Sequence, residues 1–235
     1  MSRFLLMLAL SFSIYAAEEV RIVCVGDSIT ANNAIGTLGC YPVALSHYLA
    51  IAGHPEKRVI NSGVSGNTSS QIKFRFESSV LVHNPDVIVI LCGINDCYRH
   101  GINDPDVNLN VSPEQYRANL QQMITLARGQ NPSVQIVLAS PFLICRQFSE
   151  IVQPNFTITH WNLLPNYILA AKETAQNNSV LYLPLHDRFQ ASLTGIPAIP
   201  AAYYCDHPYY ADSVHPGEKG NLFIARAITK ILGYD

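Results

Sequence analysis

The chain has 235 residues, of which 49% are hydrophobic and 14% are charged, and its formal net charge is −2. This length suits one large domain with a substantial core. The near-neutral balance excludes the basic face that a nucleic-acid-binding protein presents, and the chain has no low-complexity or strongly charged tail.

Residues 1–17 carry the features of a secretory signal peptide. Arg3 supplies the positive flank, Phe4–Ile14 is the apolar stretch, and Ala16 and Ala17 are small residues suited to cleavage. The apolar stretch is short for a membrane span, although an uncleaved anchor is the alternative, and no later segment is apolar enough to cross a bilayer. We therefore expect a secreted or extracytoplasmic protein with a single domain over residues 18–235 and no membrane span once the signal is removed.

Export gives the cysteines and the glycosylation sequons a covalent interpretation. Cys24 and Cys92 lie inside predicted strands, which predicts buried free thiols. The other cysteines lie at element ends or in loops and allow two disulfides in any of three pairings: Cys40, Cys97, Cys145 and Cys205. The sequons predict glycosylation, in a host that performs it, at Asn67, Asn110, Asn155 and Asn177.

From Val20 onward, apolar runs rich in β-branched residues alternate with segments of helical periodicity. The runs predict strands at Val20–Val25, Arg58–Asn61, Asp86–Cys92, Val134–Ser140 and Val180–Leu185. The other segments predict helices at Tyr41–Ala52, Ser69–Val82, Ser112–Arg128, Thr159–Gln176 and Gly217–Leu232. Strict alternation predicts an α/β fold, with a parallel sheet of about five strands and helices on both faces.

Two predicted connections are long enough to suggest functional loops, Cys97–Val111 and Leu185–Val214. The second contains a tyrosine cluster, Tyr203–Tyr210, which either walls an acyl or sugar site or packs the loop. His186 and Asp187 are predicted to end the fifth strand and are interpreted as a structural pair.

The first strand ends in Gly26-Asp27-Ser28, at the carboxyl edge where open α/β sheets bind their ligands. Gly26 permits a tight turn from strand to helix, which leaves Ser28 exposed near backbone N–H groups that can bind an oxyanion. Ser28 is then either a nucleophile or an ordinary N-cap serine, and this tripeptide alone does not decide between them.

Two further motifs follow the second and third strands. The glycines of Asn61–Thr68 either let backbone N–H groups approach a ligand closely or make an ordinary glycine-rich turn. In Gly93–Asp96, Asn95 offers a side-chain N–H to a developing oxyanion. The same tetrapeptide recurs as Gly101–Asp104, but only the first copy directly follows a predicted strand, so the second is interpreted as part of a loop.

The last motif, Asp212-Ser213-Val214-His215-Pro216, precedes the final predicted helix. His215 is suited to act as a general base, with Asp212 fixing its tautomer, and the three-residue spacing lets one turn present both side chains. The alternative is a solvated loop or a helix cap. Together the four motifs supply a nucleophile, a base with its partner and oxyanion donors at one sheet edge, which predicts serine hydrolysis.

In this order the motifs resemble the conserved blocks of the SGNH or GDSL-type serine esterases and lipases. The matching blocks are Gly26–Ile29, Gly63–Thr68, Gly93–Asp96 and Asp212–His215, with Ile29 where the family name has leucine. The resemblance spans nearly the whole mature chain and implies the three-layer α/β/α, flavodoxin-like fold of SGNH hydrolases.

By resemblance, Ser28 is the nucleophile, His215 is the base and Asp212 is the partner of the base. The resemblance also implies an oxyanion hole made by the backbone N–H groups of Ser28 and Gly66 and by Nδ2 of Asn95. No metal or other cofactor is expected, because this chemistry needs none and no Cys/His cluster has zinc spacing.

The resemblance also assigns Asp27 and Asn67 to substrate binding, Asn67 standing where relatives often have aspartate. The expected substrates are small-molecule, glycan or lipid esters, with short-chain or acetyl esters favoured, and no nucleic-acid partner is expected. Alternatives with the same triad are a lysophospholipase or lipase, a thioesterase and an acyltransferase. A non-catalytic binding module would be expected to have lost a triad residue, and none is lost.

Overall fold

A parallel sheet with strand order β2-β1-β3-β4-β5 organises the computed structural model, which describes residues 18–31, 39–142, 162–193 and 214–234. Within these ranges the strands are β1 (Val20–Gly26), β2 (Lys57–Gly63), β3 (Val87–Leu91), β4 (Gln135–Ala139) and β5 (Leu181–Leu183). All neighbouring strands pair in parallel, and each overlaps its predicted position.

The central strands are continuous apolar runs because helices cover both of their faces. All of β3 is buried, and so are Ile22, Val23, Cys24 and Val25 of β1. The edge strand β2 keeps Arg58 and Asn61 exposed, as suits a strand with an unpaired side.

Helices follow the strands on either side of the sheet. They are α1 (Tyr41–Ile51), α2 (Ser69–Phe74), α3 (Phe76–Ser79), α4 (Ile94–Gly101), α5 (Pro113–Gln130), α6 (Leu164–Asn177), α7 (Leu185–Leu193) and α8 (Glu218–Leu232), with a 3₁₀ turn at Leu81–His83. Helix α1 packs against α8, and α5 packs against α2 and α6. The predicted three-layer α/β/α fold with a flavodoxin-like sheet is confirmed.

No helix in the described ranges is long and apolar enough to cross a membrane.

Two helices occupy stretches that were predicted to be loops. Helix α4 covers the beginning of the connection after β3, and α7 covers Leu185–Leu193. Both are short, and among the described side chains of α7 the buried ones are Leu185 and Phe189, four residues apart. His186 and Asp187 therefore begin a helix, and the prediction that they end the fifth strand is wrong.

The cysteine prediction is confirmed in part. Cys24 and Cys92 are buried free thiols, as predicted. Cys40 also carries a free thiol that is fully buried at the N-cap of α1, so the structure does not show the disulfide that the sequence allows at Cys40. Asn61 Nδ2 donates a hydrogen bond to Cys40 Sγ at 3.3 Å, which gives this sulfur a local partner. Cys145 and Cys205 lie outside the described residues.

Candidate active site

The ends of three neighbouring strands place the predicted motifs at one edge of the sheet. Gly26 at the end of β1 pairs with Gly63 of β2 and Leu91 of β3. A Cβ atom at Gly26 would overlap Leu91 O and Thr30 Oγ1, so glycine is required for this close approach. Three predicted site residues follow the paired positions by two, three and four residues: Ser28, Gly66 and Asn95. This edge includes the switch point between β1 and β3, where flavodoxin-like sheets bind ligands.

A tight turn after β1 presents Ser28. The carbonyl oxygen of Asp27 accepts hydrogen bonds from the N–H groups of Thr30 at 3.2 Å and Ala31 at 2.9 Å. The Asp27 carboxylate caps the same turn, because Oδ1 accepts from the N–H of Ile29 at 3.0 Å. Asp27 is fully buried while Ser28 is partly exposed, so the turn directs the Ser28 hydroxyl outward and the Asp27 carboxyl inward. The side chain predicted to bind substrate therefore supports the turn and is closed off from solvent.

A histidine from the other end of the chain reaches this serine. Nε2 of His215 lies 2.7 Å from Oγ of Ser28, and both side chains are partly exposed. With the ring proton on Nδ1, Nε2 accepts the hydrogen bond of the serine hydroxyl, which is the geometry in which imidazole removes the proton. The contact joins residues 187 positions apart, and His215 lies three residues before the first residue of α8. Asp212 lies outside the described residues.

Asn95 and the Gly66 segment are joined to each other. Asn95 lies in the first turn of α4, and its Nδ2 donates to the carbonyl oxygen of Asn67 at 3.1 Å. Gly66, the residue before Asn67, has a φ of 77°, in the region that favours glycine. A primary amide carries two N–H donors, and the bond to Asn67 uses one of them.

Asp96 supports the site from below the surface, a role that its place in the third motif does not reveal. Its carboxylate oxygens accept from the N–H of Ser69 at 3.0 Å each and also from the Ser69 hydroxyl. Asn119 Nδ2 donates to the same hydroxyl at 2.9 Å. Burial raises the pKa of Asp96 to about 6, against the lowering effect of these hydrogen bonds. The network fixes the beginning of α2 to α4, and so the second motif to the third.

The carboxyl group of Asp27 is fully buried, which disfavours its ionised form. Its Oδ2 is buried and has no hydrogen-bond partner among the described residues. Chiefly because of burial, the pKa of Asp27 is raised from 3.8 to about 7; the hydrogen bond from Ile29 and the charge of His215 lower it, and the nearby carboxylate of Asp96 raises it. The Asp27 carboxyl stabilises the turn through its hydrogen bond with Ile29. Because the group is buried, its ionisation lowers the stability of the fold.

We expect Asp27→Asn to remove a pH-dependent loss of stability. The pKa of Asp27 is about 7 in the folded protein and 3.8 ordinarily, so the fold retains a proton that the unfolded chain releases. The stabilisation by the neutral carboxyl is complete below about pH 4 and is lost as the pH rises through about 7. Between these limits the free energy of unfolding of the native protein should fall by roughly 4 kcal/mol relative to that of the variant.

Urea unfolding at half-unit pH intervals measures this difference. Glu77→Gln, which replaces an exposed carboxyl on α3, serves as the control and should show no comparable divergence. Stability curves of the native protein and of D27N that run parallel across this range would contradict the assignment.

A groove of about 790 Å³ opens beside the Gly66 segment. Asn67 lies at its lining together with exposed apolar side chains, Val64, Phe74 and Val107. Polar side chains complete it, among them Lys73. The groove therefore offers both an apolar surface and hydrogen-bonding groups next to a predicted oxyanion donor.

Within the described ranges, the other residues that the sequence singled out add no further group to this site. His186 begins α7, where its N–H donates to Ser140 Oγ at 3.0 Å and burial lowers the pKa of its ring. No group of three or more His, Cys, Asp or Glu side chains in the described ranges is arranged to hold a metal ion. The tyrosine cluster of residues 203–210 and the sequon at Asn155 lie outside those ranges, and glycosylation stays a prediction.

Known proteins are similar to this chain in sequence and in architecture. The acetylxylan esterase of Geobacillus stearothermophilus is 28% identical over 226 residues, covering 92% of this chain and 94% of that protein. Esterase TesA of Pseudomonas aeruginosa is 29% identical over 130 residues, covering 55% of this chain and 59% of that protein. A crystal structure of Axe2, an acetylxylan esterase from G. stearothermophilus, matches with a TM-score of 0.71 at 26% identity, over 93% of this chain and 96% of that chain.

The family model agrees with the geometry of the sheet edge. The model of the GDSL-like lipase/acylhydrolase family matches residues 24–222. This range begins in β1, includes the serine turn, the Gly66 segment and Asn95, and ends in α8 after His215. The chain therefore belongs to the GDSL-like lipase/acylhydrolase family.

Proposed function

We propose that this protein is an exported serine esterase that releases acetyl or other short acyl groups from hydroxylated compounds through an acyl-enzyme on Ser28. The observation that carries the proposal is the 2.7 Å contact between Ser28 Oγ and His215 Nε2 at the switch point of the sheet. Export rests on the signal peptide predicted at residues 1–17. The esterase class agrees with the names of the relatives, which are an acetylxylan esterase, an esterase and an arylesterase.

In the first half of the reaction Ser28 Oγ attacks the ester carbonyl carbon as His215 Nε2 takes the hydroxyl proton. The carbonyl oxygen becomes an oxyanion, which would be stabilised by the N–H groups of Ser28 and Gly66 and by Asn95 Nδ2. The intermediate collapses when the bond to the alcohol oxygen breaks, and the proton on His215 passes to the leaving alcohol. The acyl group is then bound to Ser28.

In the second half, water replaces the alcohol. His215 takes a proton from the water, whose oxygen attacks the acyl carbon and forms a second oxyanion at the same donors. Collapse of this intermediate breaks the bond to Ser28 Oγ, which recovers the proton from His215, and the carboxylic acid leaves. No group is consumed, so the enzyme returns to its starting state.

We assign Asp212 as the partner of His215. Three crystal structures of Axe2 are of catalytic mutants in which a serine, an aspartate or a histidine is replaced by alanine. In that enzyme the aspartate precedes the histidine by three positions. Asp212 and His215 have the same spacing here, and Ser28 lies near the beginning of the domain. Asp212 would hold the proton on Nδ1 of His215 and leave Nε2 facing Ser28.

The groove beside Asn67 supports a hydroxylated leaving group. Its lining mixes the exposed ring of Phe74 with polar side chains such as Lys73, and it is open to solvent. A sugar offers both an apolar face and hydroxyl groups, whereas a long acyl chain offers only apolar surface. We therefore place the alcohol half of the ester in this groove and expect a preference for short acyl groups.

The experiment that tests this function compares substrates on the purified protein. We expect kcat/KM to fall at least about tenfold along 4-nitrophenyl esters from acetyl to octanoyl, since each added methylene must find room in the site. Acetylated xylo-oligosaccharides should release free acetate, followed by mass spectrometry. A rise in kcat/KM with acyl length would instead indicate a lipase or thioesterase, and transfer of acetyl to an added sugar in excess of hydrolysis would indicate an acyltransferase.

A further inference from the structure

Arg75, which directly follows α2, donates all five of its N–H groups to oxygen acceptors. Nε donates to Asn67 Oδ1 at 2.9 Å. Nη1 donates to Ser62 Oγ at 3.0 Å and to Ser79 Oγ at 2.9 Å. Nη2 donates to the carbonyl oxygens of Gly26 at 3.1 Å and Ser62 at 3.0 Å. A planar guanidinium with every donor engaged is fixed in both position and orientation.

None of these acceptors is a carboxylate. No ion pair found in the described parts of the chain includes Arg75. The side chain is half-buried, and this burial lowers the pKa of the guanidinium. Placing a cation among neutral acceptors opposes folding unless each hydrogen bond is made, so the arrangement uses the fork geometry of arginine and not its pairing with an opposite charge.

Four of the five acceptors lie on the segments that carry the candidate site, and the fifth, Ser79 Oγ, lies in α3. Gly26 is two residues before Ser28, Ser62 lies at the end of β2, and Asn67 directly follows Gly66. Asn67 is therefore fixed on both sides: its side chain by Arg75 and its carbonyl oxygen by Asn95 Nδ2. One guanidinium thus ties the end of the nucleophile strand to the segment with the predicted oxyanion donor.

We propose that Arg75 is a positioning residue, which sets the Gly66 segment relative to Ser28 and so shapes the oxyanion hole. This inference rests on the proposed function, because it presumes that Ser28 and Gly66 act together. Oxyanion donors act on the transition state more than on the bound ester, so a displaced Gly66 lowers kcat and leaves KM nearly unchanged. A purely structural role would lower the fraction of folded enzyme and leave kcat per active site unchanged.

The test measures kcat and KM of Arg75→Ala and Arg75→Lys on 4-nitrophenyl acetate, per site titrated with an organophosphonate. We expect R75A to lower kcat about 10- to 100-fold with KM within about twofold. R75K should fall between R75A and the native protein, because an ammonium has three donors and no fork. Millimolar guanidinium should restore part of the activity of R75A, since the free ion can occupy the vacated acceptors.

Two comparisons separate positioning from general destabilisation. Arg117→Ala removes an arginine that pairs with Glu173 between α5 and α6, and it should leave kcat unchanged. In the double variant R75A/N95A the losses in kcat should be smaller than the product of the single losses, because both changes weaken the same oxyanion hole. In the double variant R117A/N95A, by contrast, the loss in kcat should equal the product of the two single losses.

The outcomes distinguish the inference from the function on which it rests. Unchanged kcat per titrated site in R75A, or losses in R75A/N95A that multiply, would overturn the positioning role. Full activity of a Ser28→Ala variant would overturn the proposed function itself, whatever Arg75 does. If R75A does not fold, the same kcat and KM comparison is made with R75K and with Asn67→Ala. Asn67→Ala is the milder change, because it removes only one of the five acceptors of Arg75.

Discussion

Replacing Ser28 with alanine is expected to lower kcat/KM on 4-nitrophenyl acetate at least about 10⁴-fold. The variant retains the oxyanion donors and His215 but has no oxygen to form the acyl-enzyme. Water activated by His215 is then the only nucleophile, and it lacks the fixed position of Ser28 Oγ. The side chain is partly exposed and its described bond is the one to His215, so the variant should fold and melt close to the native protein.

Ser133→Ala is the matched control for this variant. Ser133 is an exposed serine just before β4, at the opposite edge of the sheet from the site, and its loss should leave turnover unchanged. Circular dichroism and thermal melting establish that both variants are folded. Native turnover by folded S28A would remove the nucleophile from the proposed mechanism.

Asn95→Ala is expected to lower kcat about 10²- to 10³-fold, the usual effect of losing one oxyanion donor, which is roughly 3 kcal/mol of barrier. The KM should change little, because the donor acts mainly on the charge that develops in the transition state. The substitution also removes the hydrogen bond from Nδ2 to the Asn67 carbonyl, at a cost in stability of about 1 kcal/mol. Thermal melting separates this small loss from the kinetic one.

The second copy of the tetrapeptide provides the control for Asn95. Asn103 follows α4 with a φ of 52°, and its Oδ1 accepts from Asn110 Nδ2 at 3.0 Å. Asn103→Gly removes a comparable side-chain bond and tolerates the positive φ, so it should change stability slightly and kcat not at all. A loss of kcat in N103G equal to that in N95A would show that the first copy has no special place in the reaction.

The sheet and its edge could be predicted because they depend on local patterns. The apolar runs of β1 and β3 are buried on both faces, and this requirement is visible in the residues themselves. Parallel strands then bring their carboxyl ends together, which is why the sequence predicts Ser28, Gly66 and Asn95 at one edge. The helices α4 and α7 escaped prediction, since each is short and a period is hard to establish over two turns.

The supporting side chains could not be predicted because their partners are distant in the sequence. Asp96 binds Ser69 across 27 positions, and Arg75 reaches the carbonyl oxygen of Gly26 across 49. The family resemblance assigns Asp27 to substrate binding, whereas its carboxyl group is buried and accepts a hydrogen bond from Ile29. The direction of its side chain depends on the close packing around Gly26, a property of the tertiary structure. Burial of Cys40 at the start of α1 has the same origin.

The central claim is that the hydroxyl of Ser28 forms the covalent intermediate, and phosphonylation tests it most directly. Organophosphonate reagents react with a serine that a neighbouring base activates, as the 2.7 Å contact with His215 implies here. We predict one equivalent of label per chain, mapped by peptide mass spectrometry to Ser28, and none on the S28A variant. Label on any other residue, or equal labelling of S28A, would contradict the account.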